Sequence, residues 1–123
     1  MYLCSVNMKK HRTIIFYKNY FQEFFDKQRE KVKDKIIWTL ELLEELERVP
    51  ETYLKHVENT DGLYEIKVST TFKEIRILCF FDESKLVVVI NWFFKKSKKA
   101  PKQEIELGER LKNEYLEIKK RRR

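Results

Sequence analysis

Along the chain the apolar residues switch between a spacing of three or four and a spacing of two, and the switches mark out elements. Arg12–Tyr17 (Arg-Thr-Ile-Ile-Phe-Tyr) is β-branched and aromatic and predicts a strand. From Tyr20 to Arg29 Phe21, Phe24 and Phe25 recur at helical steps, and from Lys31 to Val49 Val32, Ile36, Leu40, Leu43 and Leu46 do so again, which makes one long helix or a hairpin of two. Glu41, Glu44, Glu45 and Glu47 crowd the late turns, where acids oppose the helix dipole, and Pro50 is expected to stop the helix. Glu51–Asp61 reads as a connector with weak helical character around Tyr53–Val57, closed by the turn signal Asp61-Gly62. Leu63–Val68, Ile75–Phe81 and Lys85–Phe94 are rich in Val, Ile, Phe and Tyr and are separated by short polar loops, so they predict an antiparallel meander. Pro101 suits the first turn of a closing helix with the apolar stripe Ile105, Gly108, Leu111, Tyr115 and Ile118. The expected architecture is α+β: a small antiparallel sheet, made of the N-terminal strand and the meander, with a helix pair and a C-terminal helix on one face.

Side chains alternate along strands and cross-strand partners share a face. An even loop between the first two meander strands puts Glu65, Lys67 and Arg76 on one side. A tight turn at Glu83-Ser84 then sets Arg76 opposite Asn91, Ile77 opposite Ile90, Cys79 opposite Val88 and Ile75 opposite Trp92. Ile66, Val68, Ile75, Ile77, Cys79, Val88, Ile90 and Trp92 face the helices in this register. Glu65, Lys67, Arg76 and Asn91 gather on the opposite, open face, together with Leu78, Phe80, Val87, Val89 and Phe93. Lys95, Lys96, Lys98 and Lys99 rim the same end of the sheet, and phosphate is the group such a rim suits. Simpler readings exist for each feature. Glu65 and Arg76 can be a solvated cross-strand ion pair worth at most ~1 kcal/mol, the lysine run a solubilising loop, His56 a surface residue, and Phe21, Phe24, Phe25, Trp38 and Cys79 plain core or helix-interface residues.

Composition narrows the classes. With 123 residues, 42% hydrophobic and 38% charged, the chain suits one soluble domain, expected over residues 11–118 between an N-terminal extension, 1–10, and a basic tail, 119–123. Met8 could be the true start. No apolar run approaches the ~20 residues of a membrane span, so the cytoplasm is the expected location. Two cysteines, Cys4 and Cys79, and two histidines, His11 and His56, give neither a disulfide scaffold nor a zinc spacing, and no metal or cofactor is expected. Only two glycines leave no room for a nucleotide-binding loop. The net charge of +7 lies entirely in residues 91–123, which hold 12 basic and 5 acidic side chains, while residues 1–90 hold 15 of each. A polyanion is the partner such asymmetry favours.

Gly62-Leu63-Tyr64-Glu65-Ile66-Lys67-Val68, Ile75-Arg76-Ile77 with Phe80-Phe81, and Phe93-Phe94-Lys95-Lys96 running to Lys99-Ala100-Pro101 and Glu104-Ile105-Glu106 together resemble the HigB-like, phage-derived branch of the RelE/ParE toxin superfamily. The likeness covers roughly residues 11–118 and implies a RelE-like fold. It also implies the toxin of a type II toxin–antitoxin pair, a ribonuclease that cuts messenger RNA in the ribosomal A site, with a HigA-like helix-turn-helix antitoxin as partner. The family's basic positions fall on Lys67, Arg76 and Lys95 or Lys96, and an often acidic one on Glu65. Many relatives carry His-Gly where this chain has Asn91-Trp92, an Arg at Lys67, a Tyr at Ile75 and a Thr at Ala100.

Cutting RNA without a metal needs a base for the ribose 2′-hydroxyl, positive charge for the pentavalent phosphate and an acid for the leaving oxygen. The candidate catalytic residues are Glu65, Lys67, Arg76 and Lys96, with Glu65 or Lys67 as base and Arg76 on the phosphate. Asn91, Lys95, Lys98 and Lys99 are candidate substrate contacts. The missing histidine removes the natural acid, so cleavage is expected to depend on the ribosome to orient the message. The same fold also serves ParE-type inhibitors of DNA gyrase, and a non-catalytic nucleic-acid-binding module or an inactive remnant are further readings.

Overall fold

The computed structural model describes residues 10–122. The expected extension, Cys4 and Met8 lie outside them, apart from Lys10. The elements are β1 (Thr13–Phe16), α1 (Tyr20–Asp26), α2 (Glu30–Glu45), β2 (Leu54–His56), β3 (Leu63–Ser69), β4 (Glu74–Asp82), β5 (Leu86–Phe94) and α3 (Lys102–Arg121). The chain is α+β, with three helices flanking a five-stranded sheet in the order β1-β5-β4-β3-β2, consistent with a RelE-like fold.

The meander forms as its sequence predicts, and its surroundings differ in three ways. First, β1 runs parallel to β5, pairing Thr13 with Leu86 through Phe16 with Val89, so the sheet is mixed. Second, the expected connector holds a strand: β2 pairs antiparallel with β3, Lys55 opposite Glu65. Three residues are too few to show an alternation, and the pairing covers an edge that β3 would otherwise leave bare. Third, helices lie on both faces. Phe21 and Phe24 of α1 and Val32, Ile36 and Leu43 of α2 pack on Ile66, Val68, Ile75, Ile77, Cys79, Val87 and Val89. On the other face Leu111 of α3 joins Leu63, Leu78, Phe80, Val88, Ile90 and Phe93. The unbroken apolar runs in β4 and β5 are thus strands covered on both sides, not strands with an open face.

The β4–β5 register corrects the expected pairing. The turn has three residues, Glu83, Ser84 and Lys85, with Glu83 in the left-handed region at φ 66°, so Asp82 pairs with Leu86 and Cys79 with Val89. This one-residue slip moves Val88 and Ile90 to the α3 face and Val87 and Val89 to the α1/α2 face. A bulge then sets Ile90 and Asn91 against Leu78 alone, which shifts the pairing by a second residue and so restores the expected facing beyond it. Arg76 consequently lies opposite Phe93, not Asn91, yet on the same face as Asn91, and Trp92 returns to the α1/α2 side.

Both long helices are secured by side chains. α2 stops at Glu45, before Pro50, and its last carbonyls accept hydrogen bonds from the Arg12 guanidinium: Leu43 at 3.1 Å and Leu46 at 2.6 Å, with Glu47 just beyond at 2.8 Å. A cation there offsets the crowded acids at the negative end of the helix dipole. α3 continues past the expected tail boundary to Arg121, and Lys119 is not a free tail charge: its ammonium donates to Asp82 at 2.7 Å and Glu83 at 3.1 Å, while the Tyr115 hydroxyl donates to Asp82 at 2.8 Å. Those carboxylates push the Lys119 pKa up. Near the middle of α3, Gly108 allows close approach: a Cβ there would stand 3.1 Å from Leu78 Cδ1 and 3.2 Å from Asn91 Oδ1. Among the described residues no helix is long and apolar enough to cross a membrane.

Candidate functional site

Alternation along β3 sends Leu63, Glu65 and Lys67 to the α3 side of the sheet. Leu63 is sealed under α3, while Glu65 and Lys67, nearer the helix start at Lys102, stay half-buried. Lys55 of β2 stands opposite Glu65, and Arg76 of β4 opposite Lys67. The Lys95 backbone N–H donates to Glu74 O at 2.8 Å, which carries the ladder one residue past β5 and puts Lys95 on the side of Phe93 and Arg76. From there the chain arches over the sheet end toward α3. The result is a hollow of about 380 Å³ whose polar lining comes chiefly from Lys55, Glu65, Lys67, Lys95, Lys98 and Lys99.

The sheet therefore brings five of the expected site residues together, namely Glu65, Lys67, Lys95, Lys98 and Lys99. The other three sit elsewhere. Arg76 lies beneath the hollow with its side chain 7% exposed, its Nη1 donating to Glu74 at 3.2 Å and to the Ile75 carbonyl at 3.0 Å. Its Nε stands 3.7 Å from Glu65 Oε1 and has no hydrogen-bond partner. Wedged between two carboxylates, Arg76 anchors Glu65 from below. Asn91 is 1% exposed under α3, where its amide nitrogen donates to the Glu104 carbonyl at 3.0 Å and to the Glu104 carboxylate at 2.9 Å. Lys96, one residue beyond Lys95, lines a different groove with Tyr20, Trp92 and Phe94.

Among the charged lining residues, Lys55 and Glu58 escaped the sequence reading. Lys55 is visible only once β2 is a strand, and the signal for it is the pairing of Lys55 with Glu65 across the edge. His56 contributes to the wall of the hollow, yet its ring meets Tyr64 edge-on at 5.3 Å, on the opposite face of the sheet from Glu65. It stays a surface residue. Cys79 is fully buried in the α1/α2 core, and burial pushes its thiol pKa up. Among the described residues no group of three or more His, Cys, Asp or Glu is placed to hold a metal ion.

Chemically, the hollow concentrates five ammonium groups around Glu65, with Glu58 as a further acid on the wall. Such a field attracts phosphate oxygens and can balance charge that builds on them. Glu65 is the acceptor within it, and its ion pair with the buried Arg76 guanidinium draws it toward the floor of the hollow. No curated protein matches the chain. A family model, "Phage derived protein Gp49-like (DUF891)", matches residues 23–113, which run from α1 into α3 and include every residue of the hollow. The chain belongs to this Gp49-like family of phage-derived proteins, a family associated with RelE/HigB-like toxins.

Proposed function

We propose that the protein is the toxin of a type II toxin–antitoxin pair and acts as a ribosome-dependent messenger-RNA endoribonuclease, held in check by a helix-turn-helix antitoxin. The observation that carries this reading is the placement of Glu65 and Lys67 on adjacent outward positions of β3, inside a hollow ringed by Lys55, Lys95, Lys98 and Lys99. In this reading Glu65 takes the proton of a ribose 2′-hydroxyl, and the 2′-oxygen attacks the neighbouring phosphorus. Lys67 and Lys55 neutralise the non-bridging oxygens as the pentavalent centre forms. The bond to the 5′-oxygen breaks, leaving a cyclic phosphate, and a lysine ammonium of the hollow returns a proton to the leaving oxygen. Lys98 and Lys99, on the arch, hold the neighbouring phosphates.

The test adds purified protein to a translating ribosome system with a defined message and maps new RNA 5′ ends. New ends confined to ribosome-bound message are expected for the wild type. Lys67→Ala and Glu65→Gln should each lose roughly 100-fold or more in cleavage rate. Intact message with the wild-type protein overturns the reading and leaves inhibition of gyrase or plain nucleic-acid binding.

A further inference from the structure

Lys95 and Lys96 are consecutive but line different hollows: Lys95 the polar one, Lys96 a groove along the β5 edge between Tyr20 and the start of α3 at Pro101, Gln103 and Glu104. That groove has an unusual floor. β1 ends at Phe16, opposite Val89, so among the described residues no strand pairs with the outer edge of β5 beyond Val89, and α1 packs there instead. Trp92 and Phe94, half-buried against α1, meet edge-on at 5.0 Å and line the groove. Trp92 lies stacked on Phe24 at 4.0 Å, which fixes its plane. Tyr20, 37% exposed at the start of α1, forms the near wall. Tyr20, Trp92 and Phe94 are shared with an adjoining depression: Lys96 and Glu104 line the first, Lys27, Lys73 and Glu23 the second, and Lys73 stands 4.8 Å over the Phe94 ring.

We propose that this groove is a nucleobase subsite, in which an unpaired base next to the phosphate held in the hollow stacks on the aromatic floor of Tyr20, Trp92 and Phe94. The inference rests on the RNA-cutting reading of the hollow and names where the strand goes when it leaves it. A single strand offers phosphates and flat rings in alternation, and this sheet end offers ammonium groups in the hollow and flat rings along the β5 edge, joined by the dipeptide Lys95-Lys96. Stacking needs no particular base, so the groove supplies grip without sequence choice. Lys73 and Lys96 suit phosphates on either side of the stacked base.

Only two tryptophans are present, so Trp38→Phe leaves Trp92 as the sole indole reporter. The probes are a short 2′-O-methyl RNA, which cannot be cleaved, and the same backbone carrying abasic residues. The base-bearing strand is expected to quench Trp92 and to bind about tenfold more tightly than the abasic one. Tyr20→Ala, whose melting curve should match the parent because the side chain lies outside the core, is expected to erase most of that difference. Lys67→Ala should weaken both strands alike. Equal affinity for the two strands with Trp92 unchanged overturns the subsite, leaves the hollow as a phosphate site and hands the groove to a protein segment. Failure of both strands to bind overturns the subsite, while the RNA-cutting reading is decided separately by the ribosome assay.

Discussion

Arg76 touches two carboxylates and one carbonyl while almost entirely out of water, so truncating it does more than delete a charge. Arg76→Ala leaves Glu65 and Glu74 facing one another across an empty slot, and urea melts should show a loss of about 2 kcal/mol. The guanidinium also positions the proposed base. Adding Arg76→Ala to Glu65→Gln should therefore cost little further cleavage, whereas the two losses would multiply if Arg76 met the phosphate directly. The sequence marks Arg76 as important and assigns it to the substrate. Its role as an anchor comes from burial, which no residue type announces. Asn91 is similar: the sequence places it on the right face, but only the packed helix shows both hydrogens of its amide spent on Glu104.

Two of the contacts that hold helix α3 in place are directly testable. At Gly108 an added Cβ gains about 1 kcal/mol of helix propensity. It also presses on Leu78, fully buried, and on Asn91, pinned by its two bonds, so neither neighbour can retreat. Overpacking wins, and Gly108→Ala should lower stability by about 1 kcal/mol in chemical denaturation. Farther along, Glu114 accepts hydrogen bonds from the Lys18 ammonium and the Tyr17 hydroxyl, and these hold its carboxyl below the usual carboxylate range. Its folded pKa lies under its unfolded one, so the contact contributes stability above the ordinary carboxylate pKa and loses it as pH falls through the folded value. Melting temperatures taken from neutral pH to about pH 3 should fall less steeply in Glu114→Gln than in the wild type. Burial, aided by Glu114, raises the partner Tyr17 to about 12, so that hydroxyl stays protonated throughout the series.

The elements themselves were largely legible, because long apolar periods survive any context. What failed was register. A turn of three residues, where two were expected, moved Val87–Ile90 to the wrong faces, and the bulge at Ile90-Asn91 restored the facing of everything after it. Neither has a signature here, since Glu83 adopts positive φ without being Gly, Asn or Asp. In facing, though not in pairing, the two errors cancelled at Arg76, Asn91 and Trp92. β2 and the parallel pairing of β1 depend on contacts distant in sequence, and they leave no local trace.

Over the whole molecule, charge along the chain and charge in space disagree. By sequence the excess is C-terminal, yet Lys119 is spent on Asp82 and Glu83, and the hollow draws Lys55 and Lys67 from the stretch whose charges balance. Folding, not composition, gathers the field. Binding of single-stranded RNA should weaken linearly in log salt, and each of Lys55→Ala and Lys98→Ala should reduce the slope by about 0.7. A substitution at Arg121, in the basic run but remote from the hollow, should leave the slope unchanged. Fluorescence titrations across a salt series would measure all three.

Cys79 sits next to the midpoint of β4, the central strand of the sheet, and is fully buried. A thiol so placed is inert until that strand parts from its neighbours. In a protein whose other cysteine, Cys4, is changed to Ser, the rate of thiol labelling becomes a clock for that parting. The molecule thus carries its own gauge of how often its centre breathes, and any ligand that clasps the sheet end should make the clock run slow.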